Sequence, residues 1–99
     1  MTKISDLLKI VLTTGSSDLH LVVGSPPALR THGRLNFIEN ESVLDAAAAS
    51  TLVMDTLKPE QKEIILAKKE LDYSYAVPGV ARFRVNAYTE KGTLAAAFR

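Results

Sequence analysis

Ile4, Leu7, Leu8, Val11 and Leu12 recur at the spacing of a helix with one buried stripe. Thr2 or Ser5 is its expected N-cap, and Gly15 stands where a left-handed C-terminal cap is wanted. Residues 18–23 alternate and then turn wholly apolar, which predicts a strand with Leu19, Leu21 and Val23 facing inward. Gly24-Ser25-Pro26-Pro27 ends it, because two prolines supply no amide donors to a ladder. Residues 28–31 and 34–38 flank His32-Gly33, a two-residue hairpin signal. Ser42 is the expected N-cap of an alanine-rich helix over 43–57. Pro59 suits the first position of another helix, running through Gln61, Ile64, Ile65 and Ala67 to about Lys69. The two are expected to form a short αα pair.

From Leu71 onward the period is two. Leu71, Tyr73, Tyr75 and Val77 lie on one face, as do Phe83, Val85 and Ala87, and then Leu94, Ala96 and Phe98. This is the pattern of an antiparallel meander with one buried side. Matching the apolar faces sets Tyr75 against Phe83 and Tyr73 against Val85. A four-residue loop at 89–92 would set Tyr88 against Thr93, Asn86 against Ala95, Arg84 against Ala97, Arg82 against Arg99 and Phe83 against Phe98. The order helix, three strands, two helices, three strands predicts an α+β domain: an antiparallel sheet of about six strands with helices packed against it.

The chain has 99 residues, the size of one small domain. Its 12 basic and 11 acidic residues leave a net charge of +1, so no bulk field directs it to nucleic acid or an anionic membrane. Without cysteine it has no disulfide and no thiolate chemistry. The first six residues lack the long apolar core of a signal peptide. No P-loop pattern occurs, so the chain alone is not expected to be an enzyme. Asp18 and His20 share a strand face at i and i+2, but no nucleophile accompanies them and a structural hydrogen bond is expected. The two histidines, far apart in sequence, do not indicate a metal site.

The cations are segregated. Six of the seven lysines fall on predicted helices, whereas all five arginines fall on predicted strands: Arg30, Arg34, Arg82, Arg84 and Arg99. In the predicted sheet Arg82, Arg84 and Arg99 converge on the polar face beside alanines. Like charges facing each other destabilise a sheet, and arginine's planar fork suits phosphate or carboxylate. Spacing alone leaves two readings open: an anion or acidic surface is bound there, or the side chains extend into solvent and pair with acids such as Asp72 or Glu90.

The run Ser16-Ser17-Asp18-Leu19-His20-Leu21, then Gly24-Ser25-Pro26-Pro27, Leu71-Asp72-Tyr73-Ser74-Tyr75 and the stretch from Val77 to Tyr88 resemble the N-terminal domain of the type IV pilus retraction (twitching motility) ATPases. This is the PilT family of the secretion ATPase superfamily, and the likeness extends over essentially the whole chain. His20 and Pro78-Gly79-Val80-Ala81 fit PilT better than its paralogue PilU.

The resemblance implies a PAS-like α+β fold over 1–99, followed in the longer protein by a RecA-like ATPase domain that this chain lacks. It further implies a regulatory and oligomerisation role in a cytoplasmic homohexamer beside the inner-membrane pilus machinery. The domain would pack on the ATPase domain of its own and a neighbouring subunit, without membrane insertion or nucleic acid. Carried over by motif, Arg84 of Arg-Phe-Arg-Val-Asn and Arg99 of Ala-Ala-Ala-Phe-Arg would approach nucleotide phosphates, with Arg82 third. ATP and Mg2+ would be bound by the parent protein and no cofactor by this chain alone. Asp18 and His20 match the family motif without an implied chemistry. The alternative function is a stand-alone PAS-like sensor of a small ligand or a protein-interaction module; a sensor needs a cavity with convergent polar groups.

Overall fold

The computed structural model describes residues 2–99; Met1, within the stretch read as unlike a signal peptide, lies outside the described residues. The elements run α1 (Ile4–Thr14), β1 (Asp18–Leu21), β2 (Ala28–Thr31), β3 (Arg34–Phe37), α2 (Ala46–Met54), α3 (Pro59–Lys68), β4 (Glu70–Val77), β5 (Ala81–Glu90) and β6 (Thr93–Phe98). The strands form one antiparallel sheet in the order β3-β2-β1-β6-β5-β4. This is the α+β architecture expected from the pattern.

The apolar stripe of α1 is buried through Ile4, Leu7, Leu8 and Val11, and Gly15 caps the helix with φ 68°. Neither Thr2 nor Ser5 is the N-cap. Lys3 holds that position without a side-chain bond, and the Thr2 hydroxyl donates instead to Glu41 Oε2 at 2.9 Å. Helix α2 starts at Ala46 with Asp45 as its cap, accepting from the Ala48 amide at 2.7 Å, rather than from Ser42. The cause is tertiary: the Leu44 carbonyl accepts from Gly24 and its amide donates to Ser25, so backbone expected in the helix is committed to the loop after β1. Val23 lies in that loop beyond β1, half-buried against the core. Pro59 opens α3 as expected. Helix α2 packs on β6 and α3 on β4, so the sheet, more than a helix pair, holds each of them.

All three helices lie against one side of the sheet. Leu19, Leu21, Phe83, Val85, Ala87, Ala96 and Phe98 meet Leu7, Leu8, Leu52, Val53 and Ile65 in a single core. Fully burying a side chain such as Phe98 or Leu7 contributes about 1.5–3 kcal/mol each, which fixes the face that every strand presents inward. Among the described residues no helix lies on the opposite face.

The β4–β5 register is the expected one, with Tyr75 opposite Phe83 and Tyr73 opposite Val85, closed by the three-residue loop Pro78-Gly79-Val80. The β5–β6 register differs from expectation by two residues. The turn is Lys91-Gly92 alone, with φ 51° and 80°, and Glu90 pairs with Thr93. Two successive positive φ values give the backbone twist that favours tight hairpins. Tyr88 therefore faces Ala95, Asn86 faces Ala97, and Phe98 faces Val85 instead of Phe83. A shift of two keeps every side chain on its predicted face but changes its partner.

Candidate functional site

The register correction sharpens the arginine cluster. Arg84, not Arg82, stands opposite Arg99: the Arg84 amide donates to the Arg99 carbonyl at 3.0 Å and the Arg99 amide returns the bond at 2.8 Å. Such a doubly bonded pair brings its Cα atoms to about 5.5 Å and projects both side chains from one face. Arg82 is two residues back along β5 on the same face, and its Nη1 lies 3.4 Å from Ser74 Oγ. The three arginines line one open groove of about 550 Å³ with Asp72, Ser74 and the backbone neighbours Tyr73 and Phe83.

All three arginines are exposed, and among the described residues none has a carboxylate within 4.0 Å. Asp72, though it borders the groove, accepts from Asn86 Nδ2 at 2.8 Å. Glu90 sits in the hairpin at the far end of β5. Pairing with these two acids is therefore not what occupies the arginines. Three exposed guanidinium groups without a carboxylate partner share one groove, and the planar fork of arginine has the chemistry to bond an oxyanion.

Asp18 and His20 lie further along the same face. The His20 Nε2–H and the Ser17 hydroxyl bond the two Asp18 carboxylate oxygens, and Arg30 Nε is 3.6 Å from Oδ2. Because an ionised carboxylate only accepts, the Nε2 atom carries the histidine proton in this bond. Burial raises the Asp18 carboxyl, but the bonds from Ser17 and His20 and the charge of Arg30 outweigh it and hold the group below its ordinary value. The expected structural bond between Asp18 and His20 is present. Ser17 and Arg30 were not foreseen as its partners, although alternation along β2 places Arg30 on this face once the β1–β2 register is known. Leu35 and Phe37, 51% and 60% exposed, occupy the β3 end of the face.

No family model matches the chain. It is 38% identical over 97% of its length to the type IV pilus retraction ATPase PilT of Pseudomonas aeruginosa, and covers 28% of that protein. A twitching motility protein of Neisseria gonorrhoeae is 36% identical over 74% of the chain, which covers 19% of it. Among solved structures, the pilus retraction motor PilT with bound ADP superposes with a TM-score of 0.94 at 30% identity, over the whole chain and 29% of that molecule. The ATPase DotB of Legionella pneumophila shares the fold, with a TM-score of 0.78 at 24% identity, over 99% of this chain and 29% of its own. Fold and sequence thus relate this chain to the N-terminal part of a pilus retraction ATPase. It is homologous to PilT and has the fold of that protein's N-terminal domain. The chain spans less than a third of the length of these relatives.

Proposed function

We propose that this chain is the N-terminal regulatory and oligomerisation domain, over 1–99, of a longer hexameric ATPase that powers pilus retraction. Arg84 and Arg99, with Arg82 behind them, reach the phosphates of ATP held with Mg2+ by a P-loop domain of the same or a neighbouring subunit. The observation that carries this reading is the Arg84–Arg99 pair: two arginines set opposite each other on one face by their own backbone bonds, with no carboxylate within 4.0 Å of either among the described residues.

The chemistry follows from the charges. As a phosphoryl group transfers, negative charge spreads over its oxygens, and a preorganised guanidinium stabilises that charge more in the transition state than in the ground state. Arginine suits the role because its fork bonds two oxygens at once and never deprotonates. A rigid hairpin, rather than a loop, sets the spacing of the two forks.

Homology to PilT supports a place for the longer protein at the cytoplasmic side of the inner membrane, beside the pilus machinery. Among the described residues no helix is long and apolar enough to cross a membrane. The interior between sheet and helices is lined mainly by Leu, Val, Ala and Phe, which gives the small-ligand sensor no support.

The test is made in the longer protein. Arg84→Ala or Arg99→Ala should lower ATP turnover by about 10²- to 10³-fold while the ring keeps its mass. Near-normal turnover in both variants overturns the assignment.

A further inference from the structure

The ladder registers align four charged residues in one row across the open face. Arg30 faces Asp18 between β2 and β1. One residue beyond the Leu19–Phe98 pair, Asp18 comes beside Arg99. Arg99 in turn is bonded to Arg84. The row therefore reads Arg30, Asp18, Arg99, Arg84: three cations around one anion.

That anion is fixed in place. Asp18 is 8% exposed, and both of its oxygens are engaged by Ser17 and His20. Burying a carboxylate is costly unless hydrogen bonds and charges offset it, and here both do. The charged or titratable groups around it are His20 on its own strand, Arg30 on β2 and Arg99 at the end of β6. A mobile surface acid would fold into the groove and cap the arginines. Asp18, tethered from both sides, stands more than 4.0 Å from Arg99 and leaves its fork open.

We infer that Asp18 is the resident counter-charge of the arginine groove: it offsets the repulsion among Arg30, Arg99 and Arg84 while the groove is empty and opposes any phosphate that enters. The inference rests on the reading of Arg84 and Arg99 as phosphate contacts and adds a regulation of that site. Its signature is an opposition of signs. Removing the charge lowers the stability of the free domain and tightens its hold on phosphate. A merely structural Asp18 would lower stability and leave affinity equal or weaker.

The experiment uses this chain with pyrophosphate as the probe, at low salt, reading thermal unfolding and binding together. Asp18→Asn should melt below the wild type without pyrophosphate yet bind it about three- to tenfold more tightly, as expected for removing one charge at such a distance. Pyrophosphate should then raise its melting temperature by more than it raises that of the wild type. The double variant Asp18→Asn/Arg30→Gln restores the net charge of the row and should return the affinity toward wild type. Equal or weaker binding by Asp18→Asn, with wild-type binding intact and abolished by Arg84→Ala, overturns the inference and leaves the arginine site standing. Absence of wild-type binding, or binding that Arg84→Ala leaves unchanged, overturns both. If Asp18→Asn is unfolded, millimolar pyrophosphate should restore its folded circular dichroism, and failure to do so also overturns the inference.

Discussion

Arg84 and Arg99 bond to each other through both backbone amides, at 3.0 and 2.8 Å, so the ladder that builds the sheet also sets two cationic side chains next to each other on one face. Folding therefore carries an electrostatic cost in the absence of an anion. Replacing one member by a neutral residue of similar length should relieve it. Arg84→Gln in the isolated chain is expected to be as stable as the wild type or more stable by about 0.5–1 kcal/mol. Urea unfolding at low salt measures this, and a loss of more than about 1 kcal/mol would show the pair to be stabilising in itself.

Asp18 gives the domain an acid-sensitive element. Its folded pKa lies below the ordinary carboxylate value of 3.8, because bonds from Ser17 and His20 and the charge of Arg30 overcome the opposing effect of burial. Its stabilisation is complete above that ordinary value and is lost as pH falls through the lower folded value. The stability of the wild type should therefore drop more steeply below pH 4 than that of Asp18→Asn, the two curves converging in strong acid. Parallel curves in urea titrations from pH 7 to pH 2 would contradict this.

The buried pair Thr56–Tyr73 behaves in the opposite sense. The Thr56 hydroxyl donates to the Val53 carbonyl at 2.7 Å, so the 2.6 Å contact with Tyr73 is donated by the phenol. Burial pushes the Tyr73 hydroxyl above its ordinary 10.0, outweighing the lowering effect of its contact with Thr56, and Tyr75 adds to the rise. A raised folded value means stability that is complete below pH 10 and lost as pH rises through the folded value. Thr56→Val leaves the phenol without its acceptor and should cost about 1–3 kcal/mol, whereas Tyr73→Phe should cost about 1 kcal/mol and flatten the alkaline limb. Equal costs and unchanged limbs in denaturant titrations would refute the assignment of the donor.

Much of this was legible in the alternation of the last thirty residues. Period two assigned Arg82, Arg84 and Arg99 to one face and Tyr73, Phe83 and Phe98 to the other, and a register error of two could not disturb that. Which arginine meets Arg99 was not legible, because Lys91 in a left-handed conformation is a costly choice that sequence preference does not favour. The start of α2 was hidden for another reason: Leu44 is held by Gly24 and Ser25, some twenty residues away. Arg30 joined Asp18 through a β1–β2 register that the irregular segment around Pro26 and Pro27 conceals from the sequence.

The Lys91-Gly92 turn sets the register that pairs Arg84 with Arg99, so its chemistry is testable. Lys91→Asn should stabilise the hairpin by a few tenths of a kcal/mol, to about 1 kcal/mol, since asparagine tolerates positive φ better than lysine. Gly92→Val should destabilise it by about 1–2 kcal/mol, because a branched side chain at φ 80° is strained. Thermal unfolding reads both, and the reverse order would mean that the turn does not hold the register.

The most direct test of the central claim is ATP turnover in mixed rings of the longer protein. Subunits carrying Arg84→Ala and Arg99→Ala are combined with subunits whose arginines are intact but whose P-loop lysine is replaced, each preparation being nearly inactive alone. If the arginines of this domain serve a nucleotide held by another subunit, mixing should restore turnover well above the sum of the two preparations. Turnover no greater than that sum would contradict delivery between subunits, and full activity of the arginine variant alone would contradict the role itself.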